Sequence, residues 1–365
     1  MFNVSDTKRD AFMLKNHDGY DWYWHSFTAH NAITNEEKAF FIEFFIINPS
    51  LKQDYPIFGK DGKPSYLMIK VGTWGKDKRQ VHRFFGLNNV TIGDSNPFYI
   101  KADDCYLSED KTYGYMNIKD SKDHPETMSD DGTFYWNLKI KKEIAFNVGY
   151  GASEPLRDID AFEMFWHVEG MKTKYEGEIY FNNEKYVVRP EDCYGYADKN
   201  WGKDFTSPWV WLSSNNLTSS LTHKKLNNSA FDIGGGRPKI GNIALDKKLL
   251  GAFYYEGKCY EFNFSKFWTL TKTEFEFKEL EEEVYWHVIQ ETPLHKMETN
   301  IFCDKKDMLF INYEAPDGSR KHKRLWNGGN GKGFIKLYEK DKLIDEILCE
   351  NVGCEYGEYE RSDSN

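Results

Sequence analysis

The feature that most constrains this chain is its periodicity. Short runs of strand-forming residues, bounded by Gly, Asp or Asn, recur from end to end, and long amphipathic helical periods are nearly absent. Such a pattern folds as an all-β protein. Phe134 to Ile140 sets Phe134, Trp136, Leu138 and Ile140 on one face, the alternation of a half-buried strand. Ala39 to Ile47 reads as a strand buried on both faces and is interrupted by Glu43; Ser65 to Trp74 follows the Gly59-Lys60-Asp61-Gly62 turn signal. Phe162 to Val168, Glu176 to Phe181 and Tyr186 to Arg189 read as a meander. In the second half, Ala252 to Tyr255, Lys258 to Phe264, Thr273 to Leu280, Val284 to Ile289, Met297 to Phe302, Leu309 to Glu314 and Gly333 to Glu339 are strand candidates. Tyr356 to Asn365 reads as a frayed polar tail.

A chain of 365 residues exceeds one ordinary core, so two domains are expected. No Pro- or Ser-rich linker marks the join; it is placed near Pro190 to Ser207, dividing the chain into residues 1–192 and 193–365. Closing each sheet into a barrel would remove its exposed edges, although periodicity alone does not separate a barrel from two packed sheets. Aromatic residues make up 17% of the chain, which favours strands. A net charge of −10, with only Arg320 to Arg324 distinctly basic, argues against a nucleic-acid partner.

Six cysteines lie scattered with no CxxC pair, which fits neither a zinc ribbon nor a disulfide scaffold. His25 and His30, five apart, fall on opposite faces of a strand, so no metal pair is expected from them. Met1 to Asp10 has no apolar signal core, and the longest apolar run is too short to span a bilayer, so a cytoplasmic protein without stable membrane insertion is expected. The excess of Lys over Arg, with abundant Asn, suggests a bacterial source.

The densest group of unusual residues runs from Tyr194 to Phe205 and is followed by Pro208-Trp209-Val210-Trp211. Trp201, Trp209 and Trp211 fall within eleven residues. Tyr and Trp can wall an apolar pocket while offering one polar hydrogen each. Asp198 among them would be desolvated and so hold a proton near neutral pH, as a general acid must. Asn200 would orient that acid or a water. The competing reading is an aromatic turn in which Asp198 and Asn200 bond their own backbone. Gly234-Gly235-Gly236-Arg237 lacks the Lys-Ser/Thr of a phosphate loop and reads as a flexible turn.

The pattern from Tyr196 to Trp211, an acidic residue, one residue, Asn-Trp-Gly, then Pro and Trp-x-Trp, resembles the signature of tocopherol cyclases. Trp166 to Thr173 and Ile240 to Phe262 resemble the flanking blocks, so the similarity is best over Phe162 to Phe262 and looser at Gly19 to Trp24 and Gly353 to Tyr359. The family is similar to carotenoid hydratases and to β-barrel pericyclases. The resemblance implies two tandem lipocalin-like antiparallel β-barrels, with an apolar small-molecule substrate handled at their junction. It also implies Asp198, Tyr196 and His167 as catalytic residues, and Trp166, Asn200, Trp201, Trp209, Trp211 and Ser213 as substrate-binding ones. Ser213 stands where tocopherol cyclases carry Gln, which leaves ligand orientation open, and nothing in the composition points to a phototroph's substrate. The implied reaction is protonation of a C=C bond of an isoprenoid or polyene by Asp198, giving a cyclase or hydratase that needs no cofactor. A pericyclase using the same pocket and a non-catalytic lipid carrier are the alternatives; oligomeric state is not legible.

Overall fold

The computed structural model describes residues 8–14, 17–94, 96–146, 162–237, 239–240, 243–244, 248–318 and 322–359. Residues 1–7 of the N-terminal stretch, 241–242 and 245–247 of the block beginning at Ile240, Arg320 and Lys321 of the basic run, and 360–365 of the expected tail lie outside them.

The first sheet is built from β1 (Tyr20–Asn31), β2 (Glu37–Ile47), β3 (Tyr66–Thr73), β4 (Arg79–Phe85), β5 (Thr91–Gly93), β6 (Tyr99–Ala102), β7 (Cys105–Ser108), β8 (Lys111–Ile118), β9 (Gly132–Phe146), β10 (Met164–Phe181), β11 (Glu184–Val188) and β12 (Gly195–Gly202). Their order is β4-β3-β2-β1-β11-β10-β9-β8-β7-β6-β5, and β12 bridges β1 and β10. The edge strand β4 does not stay open: the Asp130 amide donates to the Gln80 carbonyl at 2.8 Å, which folds the chain after β8 back over it.

The second sheet is built from β13 (Trp209–Ser214), β14 (Asn216–Ser219), β15 (Ala230–Gly236), β18 (Lys248–Tyr255), β19 (Lys258–Asn263), β20 (Lys272–Glu279), β21 (Glu283–Glu291), β22 (His295–Asp304), β23 (Leu309–Phe310), β24 (His322–Glu339) and β25 (Lys342–Tyr359), with β16 (Lys239–Ile240) and β17 (Ile243–Ala244) forming a separate two-stranded ribbon. Its order is β19-β18-β15-β13-β25-β24-β22-β21-β20. Gln290 on β21 donates through Nε2 to the Leu249 carbonyl on β18 at 3.1 Å, tying its two flanks together. Every named pairing in both sheets is antiparallel, and the chain folds as two tandem lipocalin-like β-barrels. Among the described residues no helix is long and apolar enough to cross a membrane.

Period-two alternation divides the apolar residues into three clusters. Tyr23, Phe40, Ile42, Leu67, Trp136 and Ile179 fill the first barrel. Val210, Leu212, Phe231, Phe253, Trp286 and Ile301 fill the second. The intervening residues of the same strands, Trp22, Trp24, Phe41, Phe45, Trp209, Trp211 and Leu250 among them, form a third cluster in the seam where the barrels meet. Burial of each large side chain is worth roughly 1.5–3 kcal/mol, so the seam is a core in its own right.

Four expectations are corrected. β10 runs unbroken from Met164 to Phe181, because irregularities around Gly170 carry the strand through what reads as a turn. Tyr356 to Tyr359 end β25 instead of fraying. Leu309 to Glu314 keeps only the two residues of β23, after which the chain leaves the sheet and carries Tyr313 into the seam. β12 pairs within the first sheet, so the change of sheet falls after Gly202 and not at 192.

Candidate active site at the seam

The segment expected to carry the chemistry is a strand and not a turn. β12 lies between β1, with Trp24 opposite Asp198, and β10, with Trp166 opposite Asn200. Alternation turns Tyr196, Asp198 and Asn200 to the seam and Ala197 and Lys199 away from it, while Trp201, near the end of the strand, joins the seam's apolar cluster beside Phe165. Lys199 confirms the parity: its Nζ lies 2.8 Å from Asp21, both side chains fully buried on the barrel side.

Asp198 is buried and its Oδ2 accepts two hydrogen bonds, from Trp166 Nε1 at 2.5 Å and from the Tyr196 hydroxyl at 3.0 Å. Trp211 Nε1 in turn donates to the Tyr196 oxygen at 3.2 Å, so the chain of bonds passes from the first barrel to the second. Trp166 reaches the seam because Gly234 has no side chain: a Cβ there would lie 2.5 Å from the indole ring. Gly234 to Gly236 therefore end strand β15, packed against an indole, and are not the flexible turn the sequence suggested. Burial pushes the Asp198 carboxyl up to about 7, with the Glu43 charge adding to the rise and the bonds from Trp166 and Tyr196 opposing it.

Three further carboxyls face the same seam. Asp232, on β15, is fully buried, and burial raises its pKa well above the usual carboxylate range. Burial pushes Glu355 up to about 8, the Glu43 charge reinforcing the shift and Lys70 opposing it. Glu43 forms a fully buried ion pair with Lys70 at 2.9 Å and accepts the Tyr313 hydroxyl at 3.0 Å, while Lys70 Nζ sits 4.0 Å above the Tyr313 ring. A narrow cavity opens beside them, lined by Trp22, Met164, Phe205, Trp209, Tyr313 and Glu355. Its volume is about 20 Å3, room for about one water.

The structure brings together most of the residues expected from the sequence. Trp166, Tyr196, Asp198 and Trp211 form one hydrogen-bonded group, and Trp209 meets Trp166 edge to face at 6.1 Å. Asn200 shares the face of Asp198, and its Oδ1 is buried without a hydrogen-bond partner among the described residues. Ser213 lies opposite Asp232 in the strand register and donates to the Phe231 carbonyl at 3.1 Å. Trp201 and His167 are not brought to the carboxyl. Trp201 stacks on Phe165 at 5.6 Å, and His167, the residue after Trp166, turns to the other face with Lys199 as its cross-strand partner. Sequence reasoning missed Asp232, Glu355, Lys70, Tyr313 and the seam role of Trp22 and Trp24. One signal was present for Glu43, an isolated carboxyl in a strand buried on both faces, and the same signal marks Asp232 between Phe231 and Ile233.

Among solved structures, CghA superposes with a TM-score of 0.50 at 10% identity, covering 93% of this chain and 88% of that one. Kievitone hydratase from Nectria haematococca gives 0.47 at 12% identity, with 98% and 93% covered. A protein described as AttH from Nitrosomonas europaea gives 0.47 at 13% identity, with 96% and 97% covered. At 10% identity the likeness to CghA speaks to the fold alone. No curated protein matches the sequence. The family model described as tocopherol cyclase-like matches residues 113–357. That span contains Trp166, Tyr196, Asp198, Trp211, Asp232 and Glu355, so the seam's hydrogen-bonded acid and its two added carboxyls lie in the matched region, and the chain belongs to the tocopherol cyclase-like family.

Proposed function

We propose that the protein is a cyclase or hydratase that protonates a C=C bond of an apolar, isoprenoid- or polyene-like substrate in the seam. The observation that carries this reading is the buried Asp198 carboxyl, held near neutrality inside a wall of Trp and Tyr. A carboxyl with a pKa of about 7 keeps much of its proton at neutral pH and still releases it readily, the compromise a general acid requires. The Trp166 and Tyr196 donors favour the carboxylate left after transfer and fix the direction of the other oxygen.

Protonation at one alkene carbon leaves a cation at the other. Trp166, Trp209 and Trp211 then offer ring faces, each contact worth about 0.5–2 kcal/mol to a desolvated cation. Attack by a water gives a hydrated product, and attack by a hydroxyl of the substrate itself gives a ring; in either case the oxygen loses one proton, so the reaction consumes none overall. The seam must widen for a substrate to enter, which side-chain rotation of Trp22, Phe205 and Tyr313 around the cavity would provide.

The test is turnover of a panel of acyclic polyprenyl and polyene compounds, read by mass spectrometry as addition of one water or as a change of retention at unchanged mass. Asp198→Asn is expected to lower turnover at least about 100-fold, while tryptophan quenching still reports binding. A variant that retains full turnover points to a pericyclase in which the pocket only folds the polyene, and binding without turnover by the native protein points to a carrier.

A further inference from the structure

Asp232 has no place in the scheme above. It lies in the strand run Ala230-Phe231-Asp232-Ile233, fully buried, and neither of its carboxyl oxygens has a hydrogen-bond partner among the described residues. An unsatisfied buried carboxylate costs several kcal/mol, and an acid in that position escapes most of the penalty by keeping its proton. The side-chain hydrogens near it are committed elsewhere, and the Ile233 amide lies beside it. Tyr196 and Trp211 both lie close to Asp232. Tyr196 gives its single proton to Asp198, and Trp211 gives its own to the Tyr196 oxygen. The Tyr196 oxygen has two lone pairs and Trp211 occupies one, which leaves the other as the acceptor a protonated Asp232 would use once the two groups close to hydrogen-bonding distance. The Asp198 and Asp232 carboxyls thus face one hydroxyl from opposite barrels, Asp198 from β12 and Asp232 from β15.

We propose that Asp232 is the proton-holding partner of Asp198, coupled to it through the Tyr196 hydroxyl, so that the site works as a dyad with one acid from each barrel. The proposal rests on the reading of Asp198 as the acid and extends it. When Asp198 delivers its proton to the alkene, the Tyr196 proton moves to Asp198 and the Asp232 proton moves to Tyr196. Asp198 and Tyr196 are then restored and Asp232 is left as the carboxylate. That carboxylate accepts the proton lost by the attacking water or hydroxyl, which returns the pair to its starting state with every proton accounted for. By this scheme Asp232 is a catalytic base toward the added oxygen, and it reaches Asp198 through Tyr196. The other ionisable groups that face the pair are Glu43 and Lys70 from the first barrel, and Glu355 and Tyr313 from the second.

The pairing predicts a coupling that needs no substrate to measure. Protein labelled with 13C at aspartate carboxyls is titrated by NMR, with Asp198 assigned from the Asp198→Asn variant and Asp232 from Asp232→Asn. Asp198 ionises first, and its charge then opposes ionisation of Asp232, so Asp198→Asn is expected to lower the Asp232 midpoint by about one pH unit or more. Asp232 still holds its proton while Asp198 titrates, so Asp232→Asn is expected to leave the Asp198 midpoint near its native value. Asp198→Glu, which keeps the first acid, is expected to hold the Asp232 midpoint near its native value. An Asp232 midpoint that stays put in Asp198→Asn overturns the dyad. Should Asp198→Asn fail to fold, Asp198→Ser is read in its place, and the absence of a shift has the same meaning. The dyad and the acid reading fail separately: an unshifted Asp232 midpoint beside lost turnover in Asp198→Asn rejects only the dyad, whereas a shifted Asp232 midpoint beside full turnover in Asp198→Asn rejects only the acid.

Discussion

Asp198 holds its proton more tightly in the folded protein than in the unfolded chain, and stability must follow. Its folded value of about 7 lies above the model-compound 3.8, so between those limits the native state binds more protons than the unfolded one. The contribution is therefore complete at low pH and is lost as pH rises through about 7. The full span corresponds to roughly 4 kcal/mol at 1.36 kcal/mol per pH unit. Thermal melts of the native protein and Asp198→Asn are expected to diverge as pH increases from 4.5 to about 8, the variant losing less stability; parallel curves would mean that Asp198 is hydrated and ionised. At this scale the sequence was informative where chemistry is local. The crowding of Asp198 by Tyr196 and Trp211 can be read from a few adjacent letters. Asp232 and Glu355 cannot, because what makes them unusual is burial against another barrel, and that depends on residues far away in the chain.

Strands β12, β10, β13 and β15 bring the site together through parity and one missing side chain. Gly234 is where the first barrel's Trp166 meets the second barrel's sheet, at a distance that leaves no room for a methyl group. Gly234→Ala is expected to destabilise the protein by about 1–3 kcal/mol through overpacking, as read by denaturant midpoints. It should also weaken the Trp166 bond to Asp198 and so raise the Asp198 midpoint, since that bond is among the influences holding it down. Strand positions were legible wherever alternation was clean, as in β9, whose Phe134, Trp136, Leu138 and Ile140 are all buried. Of the 18-residue strands, β10 and β24 were read only in fragments and β25 not at all. Their internal glycines and charges imitate turn signals, and bulges let the pairing continue past them. The faces of β12 were legible too, once it was known to be a strand; that Trp201 and His167 point away from Asp198 follows from counting by twos.

Bonds between the barrels are numerous enough to make them one cooperative unit. Trp74 donates to Asn327 at 2.8 Å, Asn48 to the Pro316 carbonyl at 2.7 Å, Gln80 to the Phe310 carbonyl at 2.8 Å, and Asn215 to the Met171 carbonyl at 2.9 Å. Together with the apolar seam they predict a single calorimetric transition; two separable transitions would show that each barrel stands alone. The Glu43–Lys70 pair lies within this joint and reaches Tyr313 across it. Lys70→Met strands a buried carboxylate and is expected to cost about 3–5 kcal/mol, most of it recovered by adding Glu43→Leu, measured by denaturant unfolding.

The strands that line the seam also line a barrel, with alternate residues assigned to each task. In β13 and β15 the letters that hold a barrel together and the letters that would choose a substrate are interleaved. A library confined to every second codon of these strands would therefore search new reactions while leaving the scaffold's own core unwritten, and a lineage diverging under selection would have the same freedom.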